Sequence, residues 1–424
     1  MKFHLSKLLL MIFLGISMAL ASGFSIYEQN ARATAMAGAF IAQGTDASAV
    51  FYNPAALTKL DGLHINAGTT IISTDFGFSG PEAIEANQYT PAEPGLFPPS
   101  TVYLSYKMFD QISLGFGIYS LYGLSSKWTE GLESWPGEQL STNAKLESFF
   151  YNPTLAVKII DNLSVAAGFS FIQSSVRLEE NIYYVPRSHF VHSVLEADGS
   201  GYGLNLALMF RPFDKMNIGI HYRNNATLEY DNGDARFSFS STGNNTVDQE
   251  LRALFPAEVK GSSELELPSF LGIGIAYRFT DNLLAEFDYT QFGWSSYDKL
   301  VVEFDQPVGG ETISESVKNY EDSYSMRFGL EYRFFDKMHL RAGYIWDRHA
   351  VPEAYVEPSL PDGDRHNYTI GLGYQWNTFS LDLAYQALLQ DDREINNSVH
   401  GFNGEYKGLA NIFAISLGYS LNSF

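Results

Sequence analysis

The chain of 424 residues holds no cysteine, 15% aromatic residues and 36 glycines, and carries a formal charge of −21. Cysteine-ligated zinc, iron–sulfur clusters and disulfide scaffolds are thereby excluded; an acidic chain repels phosphates, which argues against nucleic acid; and the aromatic content argues against disorder. The mean hydropathy of −0.11 leaves no room for several apolar helical spans either.

In chain order, residues 1–21 read first, as a secretory signal. Lys2 and Lys7 form a positive start, Leu8 to Leu20 a 13-residue apolar run, and Ala19, Leu20 and Ala21 a small-x-small cleavage site. The run is too short to span a bilayer. The mature chain then begins near Ser22 with a charge of −23, both removed charges being lysines.

Residues 22–62 form a separate segment, small and mostly uncharged. Ala31, Ala33, Ala35, Ala37 and Ala39 favour a helix over Asn30 to Phe40. Asp46 is placed to cap a second short helix, and Pro54 to open a third. Ala47, Val50, Phe51 and Tyr52 make this stretch too apolar for a periplasmic tail, so it is expected to fill a lumen.

From residue 63 to 424 the sequence alternates with period two, the mark of strands. Tyr202, Leu204, Leu206, Leu208 and Phe210 alternate with small or polar residues, as do Leu271 to Phe279, Tyr324 to Tyr332, Tyr368 to Trp376 and Phe413 to Leu421. Fourteen candidate strands result: 63–73, 102–108, 112–121, 148–160, 163–179, 201–211, 216–230, 268–279, 283–305, 323–334, 338–347, 366–376, 379–389 and 409–421. Six connectors of two to four residues alternate with seven of 17 to 37. Short periplasmic turns and long outer loops of a transmembrane barrel produce that alternation; a Greek-key sandwich has no reason to. Phe210, Tyr277, Phe279, Tyr332, Tyr374 and Trp376 then fall at one interface, and Tyr222, Tyr289, Tyr344, Trp346 and Tyr385 at the other, as aromatic girdles. The fold class is an all-β membrane protein: a 14-stranded antiparallel transmembrane β-barrel plugged by a small N-terminal α-helical hatch. The final Phe424 is out of phase with its strand and carries little weight.

Within the third strand Gly115 and Gly117, followed by Ser120 and Gly123, mark a bend, or else only fit the pleat as Gly272, Gly371 and Gly373 do. The loop after strand five is more apolar than a solvated loop needs to be, with Ile182, Tyr183, Phe190, Val191, Val194 and Leu195, and the loop after strand seven adds Leu251, Ala253, Leu254 and Phe255. Either these residues capture a hydrophobic substrate or they pack the loops on each other. Arg223, Arg278, Arg327, Arg333 and Arg341 are expected to face the lumen, where Glu286, Asp288 and Glu331 can pair with them. His189 and His192 lack a third ligand of clear spacing, the GxG pairs lie inside strands, and no Ser–His arrangement is apparent. No catalytic residue, metal or cofactor is assigned. A hydrolase and a general porin are the rivals from other classes.

The plug run RATAMAGAFIAQGTDASAVFYNPAAL (Arg32 to Leu57), the start at Gly23 and Phe24, the block LPSFLGIGIAYRFTDNL (Leu267 to Leu283) with Trp294 and Ser295, and LRAGYIWDRHAVP (Leu340 to Pro352) resemble the FadL-type outer-membrane transporters over essentially the whole mature chain. The resemblance implies a monomeric barrel in the outer membrane of a Gram-negative-type bacterium, in contact with membrane lipid and lipopolysaccharide. It implies a hatch with Phe24, Asn53, Pro54 and Ala55 as gate residues, and an inward kink in the third strand that opens the wall sideways. The substrate is then a hydrophobic small molecule: a long-chain fatty acid, or alternatively a neutral aromatic or aliphatic hydrocarbon. Burying a 16-carbon chain at about 0.8 kcal/mol per methylene approaches roughly 12 kcal/mol, too tight for quick release, so a relay of sites is expected. The acidic loop from Asp231 to Leu267 does not attract carboxylates, which keeps the neutral alternative open.

Overall fold

The computed structural model describes residues 23–80 and 89–421. The secretory segment expected over residues 1–21 and the terminal Phe424 lie outside the described residues. The first half of the wall is built from β1 (Leu63–Ser79), β2 (Ser100–Phe109), β3 (Ile112–Tyr119), β4 (Asn143–Ile160), β5 (Leu163–Tyr184), β6 (His189–Phe213) and β7 (Met216–Arg223). The second half comprises β8 (Ser269–Arg278), β9 (Leu283–Gly293), β10 (Ser323–Phe334), β11 (Met338–Asp347), β12 (Arg365–Trp376), β13 (Phe379–Gln390) and β14 (Gly404–Leu421). Each strand pairs antiparallel with the next, and β14 closes on β1 from Leu63↔Leu421 to Ser79↔Glu405, which makes a closed 14-strand barrel. Closure removes every open strand edge, as a bilayer requires.

The alternation has the expected sense. On β6 Leu204 and Leu206 are 59% and 57% exposed, whereas Asn205 and Ala207 are 2% and 8% exposed. Leucines meet lipid and the small or polar partners face inward. Phe279, Tyr332 and Trp376 lie exposed near the short turns, and Tyr222 and Tyr368 nearer the outer end.

Three expected elements differ. The stretch 216–230 is broken at Asn224, whose side chain accepts from the Leu204 amide at 2.6 Å, and a separate strand, Ala226–Ser238, follows. The stretch 283–305 is broken by a 3₁₀ turn, Trp294–Ser296, that folds the Trp294 indole inward. Period two survives both breaks because it reports which face is buried, not whether the strand changes direction. The expected loop after strand five is instead a continuous hairpin: β5 and β6 run on in register as far as Tyr184↔His189 and turn through Val185–Arg187. Above the bilayer no one face has to be the apolar one, and the alternation that marks a strand fades. Two outer hairpins complete this end. Ala226–Ser238 pairs with Glu258–Leu267, and Lys299–Val308 with Glu311–Val317.

Residues 23–62 lie inside the barrel. Helix α1 (Ala31–Ala35) is capped by Asn30, whose side chain accepts from the Arg32 and Ala33 amides, and it ends at a turn with positive φ at Ala37 and Gly38. Helix α1 stops at Ala35, short of the expected Phe40, and helix α2 (Ala49–Tyr52) is the second short helix; Asp46 accepts from Ser48 just before it instead of capping it. Pro54 opens a 3₁₀ turn to Lys59. Helix α1 packs on β11 to β14, and the 3₁₀ turn on β3 to β6 across the lumen. Close approach of the two backbones requires glycine at Gly219 of β7, where an added Cβ would stand 2.0 Å from the Ile41 carbonyl oxygen. We expect Gly219→Val to leave a folded barrel but to dislodge the plug at Ile41. Planar-bilayer recording checks this: a steady ion current should appear in the variant and be absent from the parent.

Candidate functional site

The plug is held by side chains of the wall. Asp288 accepts from the amides of Phe40 and Ile41 at 2.9 and 3.1 Å, and Glu286 from the amide of Ala42 at 2.6 Å. Strand periodicity puts both carboxylates on the lumen face of β9, two residues apart. Asn53 donates to the carbonyls of Ile41 (2.8 Å) and Leu208 (3.0 Å) and accepts from the Ala55 amide (3.1 Å), so one side chain joins two parts of the plug to each other and to β6. Pro54 and Ala55 are buried beside it.

Expected lumen arginines divide into two groups. Arg341 bridges Glu331 and Asp382, each at 2.6 Å, and Arg32 of the plug joins Glu331 at 2.9 Å. Arg327 lies 4.2 Å over the Tyr27 ring and donates to the Ala37 carbonyl, while Arg223 lies 4.5 Å over Phe51. Arg278 is exposed and Arg333 binds Asn282 at the short turn, so neither reaches the lumen interior, because each sits at the last inward position of its strand. Glu286 and Asp288 serve plug amides in place of pairing with arginine.

The start of the plug meets the wall where β3 breaks. β3 follows β4 up to Tyr119↔Phe150, and pairing resumes at Gly123↔Glu147. Ser120, Leu121 and Tyr122 thus oppose only Ser148 and Phe149, one residue too many, which is a bulge. All three are buried inward, and the Tyr122 backbone is held by the Ser148 hydroxyl. The freed edge pairs with the plug: the Ile26 amide donates to Leu121 O at 2.7 Å and the Gly123 amide to Phe24 O at 2.9 Å. β2 pairs with β3 no further than Val102↔Ile118, so past this point the plug is the partner. Gly115 and Gly117 lie one strand turn earlier and admit Val50 and Leu57 of the plug, while the space a side chain on Gly123 would take is filled by Ile26. Ser120 O accepts from the Gln29 side chain at 2.6 Å.

Phe24 is 5% exposed and stacks edge-on against Trp294 (4.6 Å), Tyr122 (5.9 Å) and Tyr297 (6.1 Å). It floors an outer cavity of about 420 Å³ walled by Leu124, Leu140, Leu146, Val176, Leu265 and Leu300. A cavity of this size, with apolar walls interspersed with charged and polar residues, has the dimensions of a small-molecule site. Of the residues expected to capture substrate, Leu195 lines this cavity. Val194 is buried and Phe190 packs on Tyr183 of the same hairpin. Leu251, Leu254 and Phe255 belong to α3 (Asn245–Leu254) and its cap, and pack with Val191, Phe237 and Val259 in a separate outer cluster. His192 binds Asn181, and no group of three or more metal-binding side chains occurs among the described residues. Trp294, which packs on Phe24, carried a sequence cue, but Tyr297, Tyr320, Lys318 and Glu357, which line the cavity, carried none, since each comes from an irregular outer connection.

Residues 12–421 match the family described as "Outer membrane protein transport protein (OMPP1/FadL/TodX)". A long-chain fatty acid transport protein of Escherichia coli (strain CFT073) is 24% identical over 407 residues, 88% of this chain and 88% of that protein. The crystal structure of a Pseudomonas aeruginosa FadL homologue aligns with a TM-score of 0.79 at 19% identity, covering 96% of this chain and 100% of that one. The toluene transporter TodX of P. putida aligns with a TM-score of 0.72 at 16% identity, covering 94% and 100%. At such identities the structural likeness is one of fold.

Hydrogen bonds to a charged group contribute about 1.5–3 kcal/mol each. Asp288→Asn weakens two of them, so plug opening should become roughly 30-fold more frequent, about 2 kcal/mol. Amide hydrogen exchange at Phe40 and Ile41 reads this directly; unchanged protection would show that packing alone holds the plug.

Proposed function

The chain belongs to the outer membrane protein transport protein family (OMPP1/FadL/TodX), and from that premise we propose that it takes up hydrophobic small molecules, long-chain fatty acids or hydrocarbons, through the outer cavity, past Phe24 and sideways into the bilayer. The observation that carries this reading is the backbone pairing of Phe24–Ile26 with Leu121–Gly123. The floor of the cavity and the break in the wall are one hydrogen-bonded unit, so moving the first moves the second. Phe24, Asn53, Pro54 and Ala55 serve as the hatch, and Gly115, Gly117, Ser120 and Gly123 frame the side exit. An apolar ligand gains from leaving into the membrane core, which solvates methylene groups at about 0.8 kcal/mol each relative to water, whereas an aqueous path through the plug offers no such gain.

Capture begins at the outer hairpins. Leu195 shares the cavity with Phe304, and both also pack against the cluster that holds Leu251, Leu254 and Phe255, which supports a capture role for that cluster, with Val194 and Phe190 on the adjoining hairpin. Transport, not catalysis, is the reading, in keeping with relatives named as transporters. With it go a monomeric barrel and acidic outer loops that meet lipopolysaccharide through divalent cations.

Two experiments test the reading. Ser25 and Tyr122 form an antiparallel bridge flanked by its hydrogen bonds, a position suited to a cross-strand disulfide, and the chain has no native cysteine. Oxidised Ser25→Cys/Tyr122→Cys protein should lose at least ten-fold in uptake of a labelled apolar probe and recover with reductant; full uptake while locked would sink the side exit. Leu195→Asp should slow uptake several-fold and Phe190→Asp much less, a comparison read in the same assay.

A further inference from the structure

Ion pairing accounts for almost every charge that lines the outer cavity. Glu179 binds Arg177, Glu196 binds Arg177 and Arg236, and Asp234 binds Lys260. Glu315 binds Lys299 at 2.8 Å and Lys145 binds Glu147 at 3.0 Å. Lys318 is 8% exposed and is paired with Glu357, whose carboxylate also accepts from Ser359 at 2.7 Å. His400 stands exposed at the rim. Glu180 differs: it lines the cavity, and its side chain makes no hydrogen bond or ion pair among the described residues.

Resting on the uptake reading above, we propose that this cavity prefers apolar molecules with an uncharged, hydrogen-bond-donating head, such as a hydroxyl, over carboxylates, with Glu180 as the group that receives the head. The cation that an anionic head would need is already neutralised. Burial alone would lower the Lys318 ammonium, but Glu357 holds it above its ordinary range; burial would likewise raise Glu357, and Lys318 holds it below. A carboxylate ligand would therefore compete with Glu357 for Lys318 while facing Glu180. A hydroxyl meets no such opposition, since a carboxyl oxygen accepts its proton and the apolar walls bury the rest. Glu180 also stands beyond the bilayer: the outward apolar positions of β5 end at Phe171 and are followed by the exposed Gln173, roughly 23 Å short of Glu180 at 3.3 Å per residue. There burial, aided by Glu357 and opposed by Lys318, pushes its pKa up to about 7, so at pH 8 it is mainly ionised.

The full-length barrel in lipid nanodiscs, titrated at pH 8 with decanol, decane and decanoate against empty nanodiscs and followed by tryptophan fluorescence, tests the proposal. Decanol should bind tightest, and decanoate at least ten-fold more weakly. Glu180→Gln should narrow that gap to three-fold or less. Glu357→Gln acts from a different element and frees Lys318, so it should tighten decanoate at least ten-fold; it serves as a second arm should Glu180→Gln fail to fold. Decanoate binding as tightly as decanol in the parent, decane equalling decanol, or neither folded variant moving the decanoate affinity would overturn the selectivity. Absence of binding by all three probes would instead overturn the uptake reading, and the selectivity with it.

Discussion

A barrel of this size encloses more space than its own inward side chains fill, and whatever fills it brings buried backbone donors that need acceptors. Asp288 and Glu286 meet that need for three consecutive plug amides, Phe40 to Ala42. Two carboxylates side by side on one strand face would repel each other if nothing answered them. Here the plug's own N–H groups answer, and Arg327 stands directly across the ladder from Asp288. The acids on β9 and the small residues of the plug depend on each other. Ala33, Ala35, Ala37 and Ala39 are fully buried, and larger side chains there would push the amides of Phe40 to Ala42 away from their acceptors.

Polar anchorage also determines what can move. The middle of the plug is fixed by charge-assisted bonds to β9 and by Asn53, whereas its first residues are fixed by two backbone bonds to a bulged strand and by ring contacts of Phe24. Edge-to-face ring pairs contribute about 0.5–1.5 kcal/mol beyond their burial, less than a charged hydrogen bond. The weaker end is the one beneath the cavity. A ligand displacing Phe24 would disturb Leu121 to Gly123 without needing to extract the plug, and the barrel could stay closed to ions meanwhile.

Alternation and connector lengths made the wall legible because a bilayer imposes one rule on every strand: apolar out, small or polar in. Ser323–Phe334 and Met338–Asp347 were readable to the residue for that reason. Beyond the bilayer the rule lapses. In the β5–β6 hairpin nothing forces one face to differ from the other, so it reads as a loop; at Asn224 and Trp294 the alternation runs on while the strand changes direction, so period two does not mark the breaks. Within the plug, alanine content signalled helix, yet only five residues form α1; tertiary bonds to Ser416 and Asp288 override propensity within a few residues. The capture residues show the same limit. Leu195 and Leu251 both read as surplus apolar surface, and whether such a residue faces a cavity or a neighbouring helix is decided by chain segments far away in sequence.

Net charge is the coarsest of these readings, and the structure changes what it means. Where the outer hairpins border the cavity, their acids are answered between neighbouring strands: Asp234 stands opposite Lys260 in the ladder, and Glu315 reaches Lys299 across its own hairpin. Such exposed pairs contribute little to stability, but they cancel the field that a ligand would otherwise meet. Within the cavity the last cation, Lys318, is cancelled as well. What an incoming head group meets is therefore decided by one carboxyl left over from the pairing, Glu180, and not by the formal charge of −21 spread over the whole chain.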